Sequence, residues 1–264
     1  MRYNHGMLEA KWRGRTGSGS ISVGNEMDVF VKLIPKDGKQ LDLENARLLL
    51  ISHFLATITT SQEPHLSIPF AFEDWLDDAR GLGLRIEGGA MDGGFDLAVF
   101  PRDFVDGLSR QSQNGRAFLC GRLLDTEGMY LTDLLPDFGV DACRIYFLSL
   151  GPLERDYQFK WHGLAGAHRF LARVWQLAQR GLQDSNDEWD EPQECLALRQ
   201  TVQGRLEQRK PHTALAAIMG HLKYRSTLPS NEVRVIAELL LPFAPFLSAE
   251  LLELVAAVQD YNGR

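Results

Sequence analysis

Trp161-His162-Gly163-Leu164-Ala165-Gly166-Ala167-His168-Arg169-Phe170-Leu171-Ala172-Arg173-Val174-Trp175-Gln176-Leu177 is the stretch on which the reading of this chain turns. From Leu164 to Leu182 apolar residues return at helical spacing, which predicts one long amphipathic helix. Arg169, Arg173 and Arg180, four and seven apart, form a basic stripe, and Phe170, Val174 and Leu177 form an apolar stripe beside it. Trp175 falls on the apolar side and is expected in the core, whereas Trp161 fits either a packing or a base-stacking role. Outward from this helix, Val140 to Leu150, Glu194 to Gln208, His212 to Tyr224, Glu232 to Leu241 and Leu247 to Val258 keep the same period. Together they predict a helix bundle over 139–264. Its connections have loop chemistry: Asp184 to Pro192 is acidic, Leu228-Pro229-Ser230-Asn231 supplies a cap before Glu232, and Pro242 and Pro245 break the chain. Ser248 reads as an N-cap without the full capping box, because Leu251 stands where an acid would be needed.

The preceding residues have a different texture. Asp28 to Ile34 is apolar and β-branched and ends at Pro35, a strand signature, and Asp42 reads as the N-cap of a helix from Leu43 to Ile58. Phe72 to Gly81 predicts a helix around Trp75. Gly81 to Gly94, with six glycines, predicts turns or an irregular hairpin, and Phe95 to Phe100 and Ala117 to Leu124 predict short strands. The Gly/Ser-rich run Arg13 to Asn25 matches neither the P-loop nor the dinucleotide fingerprint and reads as a loop. The expected division is therefore a mixed α/β part at 1–138 and a helical part at 139–264.

Length and charge narrow the function. At 264 residues the chain can hold one large domain or two smaller ones. A formal charge of −7 gives no global field drawing it onto a polyanion, so any nucleic-acid contact must be local. Residues 1–143 carry 14 basic and 21 acidic side chains, and 144–264 carry 14 of each. No apolar leader follows Met1 and no run of about 18 apolar residues occurs; a soluble cytoplasmic protein is expected, without a membrane or DNA partner. Cys120, Cys143 and Cys195 lack the C-x-x-C spacing of a zinc or redox site and read as reduced, buried thiols.

Several of these segments are similar to a known family. Asp141-Ala142-Cys143-Arg144-Ile145-Tyr146, then Leu150-Gly151-Pro152-Leu153-Glu154-Arg155-Asp156, then the Trp161 to Leu177 stretch, closely resemble the join between catalytic core and anticodon-binding bundle of class I leucyl-tRNA synthetases. Arg209-Lys210-Pro211-His212-Thr213-Ala214-Leu215-Ala216-Ala217-Ile218-Met219 and Leu240-Leu241-Pro242-Phe243-Ala244-Pro245-Phe246 resemble the family's next bundle helices in the same order. Asp28-Val29-Phe30-Val31 and Ala46-Arg47-Leu48-Leu49-Leu50-Ile51-Ser52-His53-Phe54 look like the strand and helix opening the second half of its Rossmann-type domain. The resemblance implies a partial Rossmann-like α/β remnant followed by an anticodon-binding-type helix bundle. It also implies a chain that begins midway through the core, without the HIGH signature, the editing insertion or the C-terminal appendage.

The family's KMSKS signature should precede Asp141-Ala142. Aligning Gly128 with the glycine after that loop places Arg122-Leu123-Leu124-Asp125-Thr126 at the signature. In the family its second lysine offsets charge developing on the triphosphate. Here the alignment puts the Asp125 carboxylate at that point, and between Gly121 and Asp133 the only cation is Arg122. Loss of amino-acid activation is the expectation, with no catalytic residue, cofactor or metal assigned.

No replacement chemistry stands out. The seven histidines form no H-E-x-x-H motif, and neither G-x-S-x-G nor an S-x-x-K set is present. Glu73, Asp74, Asp77 and Asp78, and the group Asp184, Asp187, Glu188, Asp190 and Glu191, read as solvated acidic faces instead of metal sites. Two basic groups could contact RNA: His168, Arg169, Arg173 and Arg180 on the long helix, and Arg199, Arg205, Arg209 and Lys210 near a helix end. Each has a structural alternative, ion pairing along a solvated face for the first and interaction with the helix macrodipole for the second. The expected function is a non-catalytic leucyl-tRNA-synthetase-like protein binding tRNA or related structured RNA through its bundle and serving a partner enzyme. The alternative is a protein-interaction module or an auxiliary subunit complementing a separately encoded synthetase half.

Overall fold

A computed structural model of the chain describes residues 2–13, 27–34, 40–59, 64–68, 75–88, 95–103, 116–183 and 191–262. These residues are mixed α/β, with two compact units. One is built from residues 17–137 and 152–160; the other combines 1–16, 138–151 and 161–264. The first helix and the segment 152–160 thus each cross the linear division at 138/139.

The first unit carries a five-stranded sheet. Its strands are β1 (Met27–Val31), β2 (Pro64–Ile68), β3 (Ile86–Gly88), β4 (Leu97–Pro101) and β5 (Arg116–Cys120). They lie in the order β3-β2-β1-β4-β5, and every pairing is parallel. That is the doubly wound order, reversing direction between β1 and β4, and it contains more of a Rossmann sheet than half a unit. All five residues of β4 are buried, so both faces of this inner strand are shielded from solvent.

Helix α2 (Leu43–Thr59) follows β1. Asp42 caps it as its sequence predicts: Oδ1 accepts from the amides of Glu44 (3.0 Å) and Asn45 (3.1 Å). The Asn45 side chain then ties the helix to the chain leaving β1. It accepts from the Ile34 amide at 2.8 Å and donates to the Ile34 carbonyl at 3.0 Å and to Asp42 at 2.7 Å.

Two readings of this unit change. In the described part of the glycine-rich stretch, residues 81–88, the expected turn is present at 82–83, but Ile86–Gly88 is a strand that pairs in parallel with Leu66–Ile68 of β2. Three residues are too few to show a period, and the pairing that defines the strand is distant in sequence. The expected strand Ala117 to Leu124 breaks at Gly121, and β6 (Leu123–Leu124) pairs instead with β7 (Tyr157–Gln158) in a separate sheet. Gly121 permits this because a Cβ there would lie 2.1 Å from the Arg155 carbonyl oxygen. Its amide donates to Leu153 at 2.9 Å. Helix α3 is Leu76–Gly81, and Asp78 accepts from the Leu41 amide at 3.0 Å while Asp77 pairs with Arg80. Residues 14–26, Glu73, Asp74 and 184–190, which carry parts of the loop and acidic-face readings, lie outside the described residues.

The second unit is helical: α1 (His5–Trp12), α5 (Val140–Ser149), α6 (Trp161–Gln183), α7 (Gln193–Glu207), α8 (Pro211–Leu222), α9 (Ser230–Leu240) and α10 (Pro245–Asn262). Helix α4 (Leu131–Phe138) precedes α5. The bundle helices pack α5 on α6 and α8, α7 on α8, and α9 on α10, with α1 against α10. Leu164, Leu171, Val174, Trp175 and Ala178 form the buried stripe of α6, and all three cysteines are buried and free.

Two helix starts are capped by distant carboxylates. Glu9 of α1 accepts from the Val140 amide at 2.7 Å. Asp141, 2% exposed, accepts from the amides of Phe246 (3.3 Å) and Leu247 (2.7 Å), so it caps α10. Arg144 beside it donates to the Pro242 carbonyl at 3.0 Å. Burial raises the Asp141 carboxyl well above its ordinary range, with the two amides and Arg144 pulling the other way. The expected Ser248 cap is replaced: α10 starts three residues earlier at Pro245, and Ser248 is buried inside its first turn. Proline suits a helix's first position because the amide it lacks would have no intrahelical partner.

The segment after α8 lies directly on α6. The Leu228 amide donates to the Leu177 carbonyl at 3.1 Å, and a Cβ at Gly181 would sit 1.6 Å from the Leu228 carbonyl oxygen.

Asp141→Ala removes a helix cap and leaves the Arg144 guanidinium buried without its carboxylate. It is expected to cost about 3–5 kcal/mol, seen as a lower urea midpoint at unchanged slope; a loss under about 1 kcal/mol would contradict this role. Gly181→Ala is expected to destabilise by about 1–3 kcal/mol through overpacking. Gly204→Ala, on α7 with nothing near its Cβ, should instead stabilise by about 0.5–1 kcal/mol.

Candidate nucleic-acid interface

In the α/β unit the window that the alignment sets at the activation signature, Arg122 to Thr126, is tied into β6 and its contacts. Leu123 is buried and Leu124 half-exposed in β6. Asp125 takes a left-handed backbone with φ of 59°, and the Thr126 hydroxyl donates back to Leu123 at 3.5 Å. The Arg122 guanidinium forms a two-pronged pair with Glu44, at 2.6 and 3.3 Å, and reaches Asp103 at 3.2 Å. Its backbone amide donates to Asp156 at 2.8 Å. Those carboxylates raise the Arg122 pKa further, so it stays charged, and its charge is already answered.

The bundle holds a different arrangement. A cleft of about 350 Å³ is lined by Arg173, Gln176, Leu177 and Arg180 of α6 and by Arg225. One helix supplies two of the arginines because positions seven apart share a face. Arg173 Nη2 donates to the carbonyls of Leu222 (2.9 Å), Lys223 (2.6 Å) and Arg225 (3.5 Å), three groups at the C-terminal end of α8. Arg180 Nη1 donates to Ser226 at 3.4 Å. A guanidinium has five N–H donors, and these bonds fix each group while using one nitrogen of it. Neither of the two forms an ion pair among the described residues. Arg225 differs: it pairs with Glu194 at 2.5 Å and Glu232 at 3.5 Å.

The other sequence candidates scatter. Arg169 is exposed on α6. His168 is half-buried in a ring cluster with Tyr3, His5 and Phe138, at centroid separations of 5.7, 5.7 and 6.2 Å. Burial and His5 lower its pKa, so the imidazole is neutral at pH 7. Trp161 is 50% exposed, with one face towards Phe138. Arg199 is bound by Glu191 and Glu238, at 3.1 and 2.7 Å. Arg205 and Lys210 are exposed, Lys210 donating to Gln208 at 2.9 Å, and Arg209 occupies a positive-φ turn at the end of α7. Sequence reasoning missed Arg225 as a cleft residue, because nothing in the α8–α9 connection signals that it folds back on α6.

No family model matches the chain. It is 31% identical over 143 residues to the leucine–tRNA ligase of Chlorobaculum parvum, which covers 49% of this chain and 17% of that protein. Against the leucine–tRNA ligase of Corynebacterium jeikeium it is 27% identical over 135 residues, 47% of this chain and 14% of that protein. Among solved structures, the leucyl-tRNA synthetase of Agrobacterium radiobacter K84 in complex with tRNA and LeuAMS superposes with a TM-score of 0.48 at 20% identity, over 61% of this chain and 27% of that one. The apo methionyl-tRNA synthetase of Mycobacterium tuberculosis does so with 0.44 at 20% identity, over 60% and 43%. The match thus spans about a sixth of the length of the curated relatives, and over about half of its own length this chain is similar to leucyl-tRNA synthetases.

Proposed function

We propose that the chain is a non-catalytic leucyl-tRNA-synthetase-like protein that binds tRNA, or a related structured RNA, through its helical bundle. The observation that carries this reading is the cleft in which Arg173 and Arg180 are oriented by backbone carbonyls and form no ion pair among the described residues. Arginine binds phosphate through paired N–H donors, and a guanidinium already oriented by carbonyl groups loses little freedom on doing so. A local cluster answers the −7 net charge, because screening confines the acidic field to about 8–10 Å at physiological salt. The lack of an unanswered cation at 121–133 supports the non-catalytic half of the reading, since a triphosphate there would meet Arg122 already paired with Glu44.

A second reading, a protein-interaction module or auxiliary subunit, is favoured by one observation, the excess of 21 acidic over 14 basic side chains through residue 143. That field would repel an RNA approaching from the N-terminal half.

A mobility-shift titration with total tRNA at low and moderate salt is expected to show binding that weakens steeply with salt. Arg169→Glu with Arg180→Glu should reduce affinity at low salt by about tenfold or more. Arg173 is left intact because it also holds the end of α8. Affinity no greater than that of an unrelated acidic protein would overturn the RNA reading, and a stoichiometric protein partner in pull-downs from native cytosol would establish the second. The purified single chain is expected to give no leucine-dependent ATP–pyrophosphate exchange; exchange above background would overturn the non-catalytic assignment.

A further inference from the structure

Beside the arginine cleft, at the ends of three bundle helices, lies a group the sequence spacing concealed. Cys195 stands in the first turn of α7, His221 in the last turn of α8 and Glu232 in the first turn of α9. Their donor atoms all fall within 4.8 Å of one another. Cys195 and Glu232 are buried, and the His221 side chain is 11% exposed. His221 Nε2 and Glu232 Oε2 are both buried without a hydrogen-bond partner, and they stand 3.7 Å apart, too far to satisfy each other.

Unsatisfied buried acceptors cost free energy, so two of them converging beside a thiol call for a shared partner. Protonated His221 could supply one by ion pairing with Glu232, but that would leave the thiol unused. A dication answers all three. We propose that Cys195, His221 and Glu232 form a transition-metal site, with zinc the ion its donors suit best. The ligand set is one sulfur, one imidazole nitrogen and one carboxylate oxygen. Soft and borderline donors of this kind select zinc over calcium or magnesium, which take oxygen. Zinc–sulfur and zinc–nitrogen bonds of about 2.3 and 2.0 Å require tetrahedral ligand atoms about 3.2–3.6 Å apart. His221 and Glu232 are already 3.7 Å apart, and no pair of donors exceeds 4.8 Å, so the largest closure needed is about 1.5 Å, a distance side-chain rotation covers.

The surroundings fit. Arg225 approaches the other carboxylate oxygen, Glu232 Oε1, at 3.5 Å, which leaves Oε2 for the metal and fixes one-oxygen binding. A thiolate and a carboxylate together neutralise the ion. Three protein ligands leave a fourth position for water. The metal would pin α7, α8 and α9 at one point and hold the segment 222–229 that carries Arg225 into the cleft, independently of whether RNA binds there.

The test uses the full chain, reduced and freed of metal with a chelator. Cobalt(II) titration is expected to give one equivalent of tetrahedral ligand-field absorption together with a thiolate charge-transfer band, both displaced by zinc. Cys195→Ser should abolish the charge-transfer band, and His221→Gln and Glu232→Gln should each weaken binding by about a hundredfold. Zinc should raise the melting temperature of the wild type and leave that of Cys195→Ala unchanged; Cys195→Ala keeps a small apolar side chain in the core. Absence of stoichiometric uptake by the wild-type chain would overturn the proposal, whatever the variants do. So would a cobalt spectrum that Cys195→Ser retains, since the ion would then sit elsewhere.

Discussion

A carboxylate that never meets water organises the bundle. Asp141 stands near the start of α5 and accepts the first amides of α10, while Arg144, one turn along, takes the carbonyl of Pro242 just before that helix. Both termini of the Pro242–Leu247 turn are therefore answered by a single helix, by groups that burial makes expensive to leave alone. Glu9 repeats the device at the start of α5 itself, so α1 is tied to the bundle through a cap as well as through packing. Lys11 and Trp12 extend that attachment to Glu250 of α10.

The same economy governs the arginines. Arg122, Arg199 and Arg225 are paired with carboxylates, whereas Arg173 and Arg180 lean on backbone carbonyls and retain net charge. A carbonyl orients a guanidinium without neutralising it, and this distinction separates cations whose charge is answered within the fold from cations left to meet an anion. A listing of basic residues along the helix cannot make that separation.

What the sequence displayed was local. Helix α2 with its Asp42 cap, the buried stripe of α6 and the burial of Trp175 all follow from spacing within one element. The parts it concealed depend on distant partners. Strand β3 exists because β2 pairs with it, and Ser248 could not be excluded as a cap without knowing that Asp141 already served α10. The Cys195, His221 and Glu232 group is invisible for the same reason, its members being 26 and 11 residues apart and meeting only when three helix ends meet. The Rossmann-like character was implied only by the resemblance of one strand and one helix to a known family, and the full order of five strands was not legible.

The turn at Asp125 carries a last implication. Its main chain is left-handed and the two residues before it are knitted to β7, so the peptide is set by neighbours before any side chain is chosen. Any side chain at 125 sits on a left-handed, immobilised corner close to an arginine already occupied by Glu44. A replacement at 125 alone therefore leaves the path of this corner unchanged, because the pairing of β6 with β7 sets it and the side chain does not.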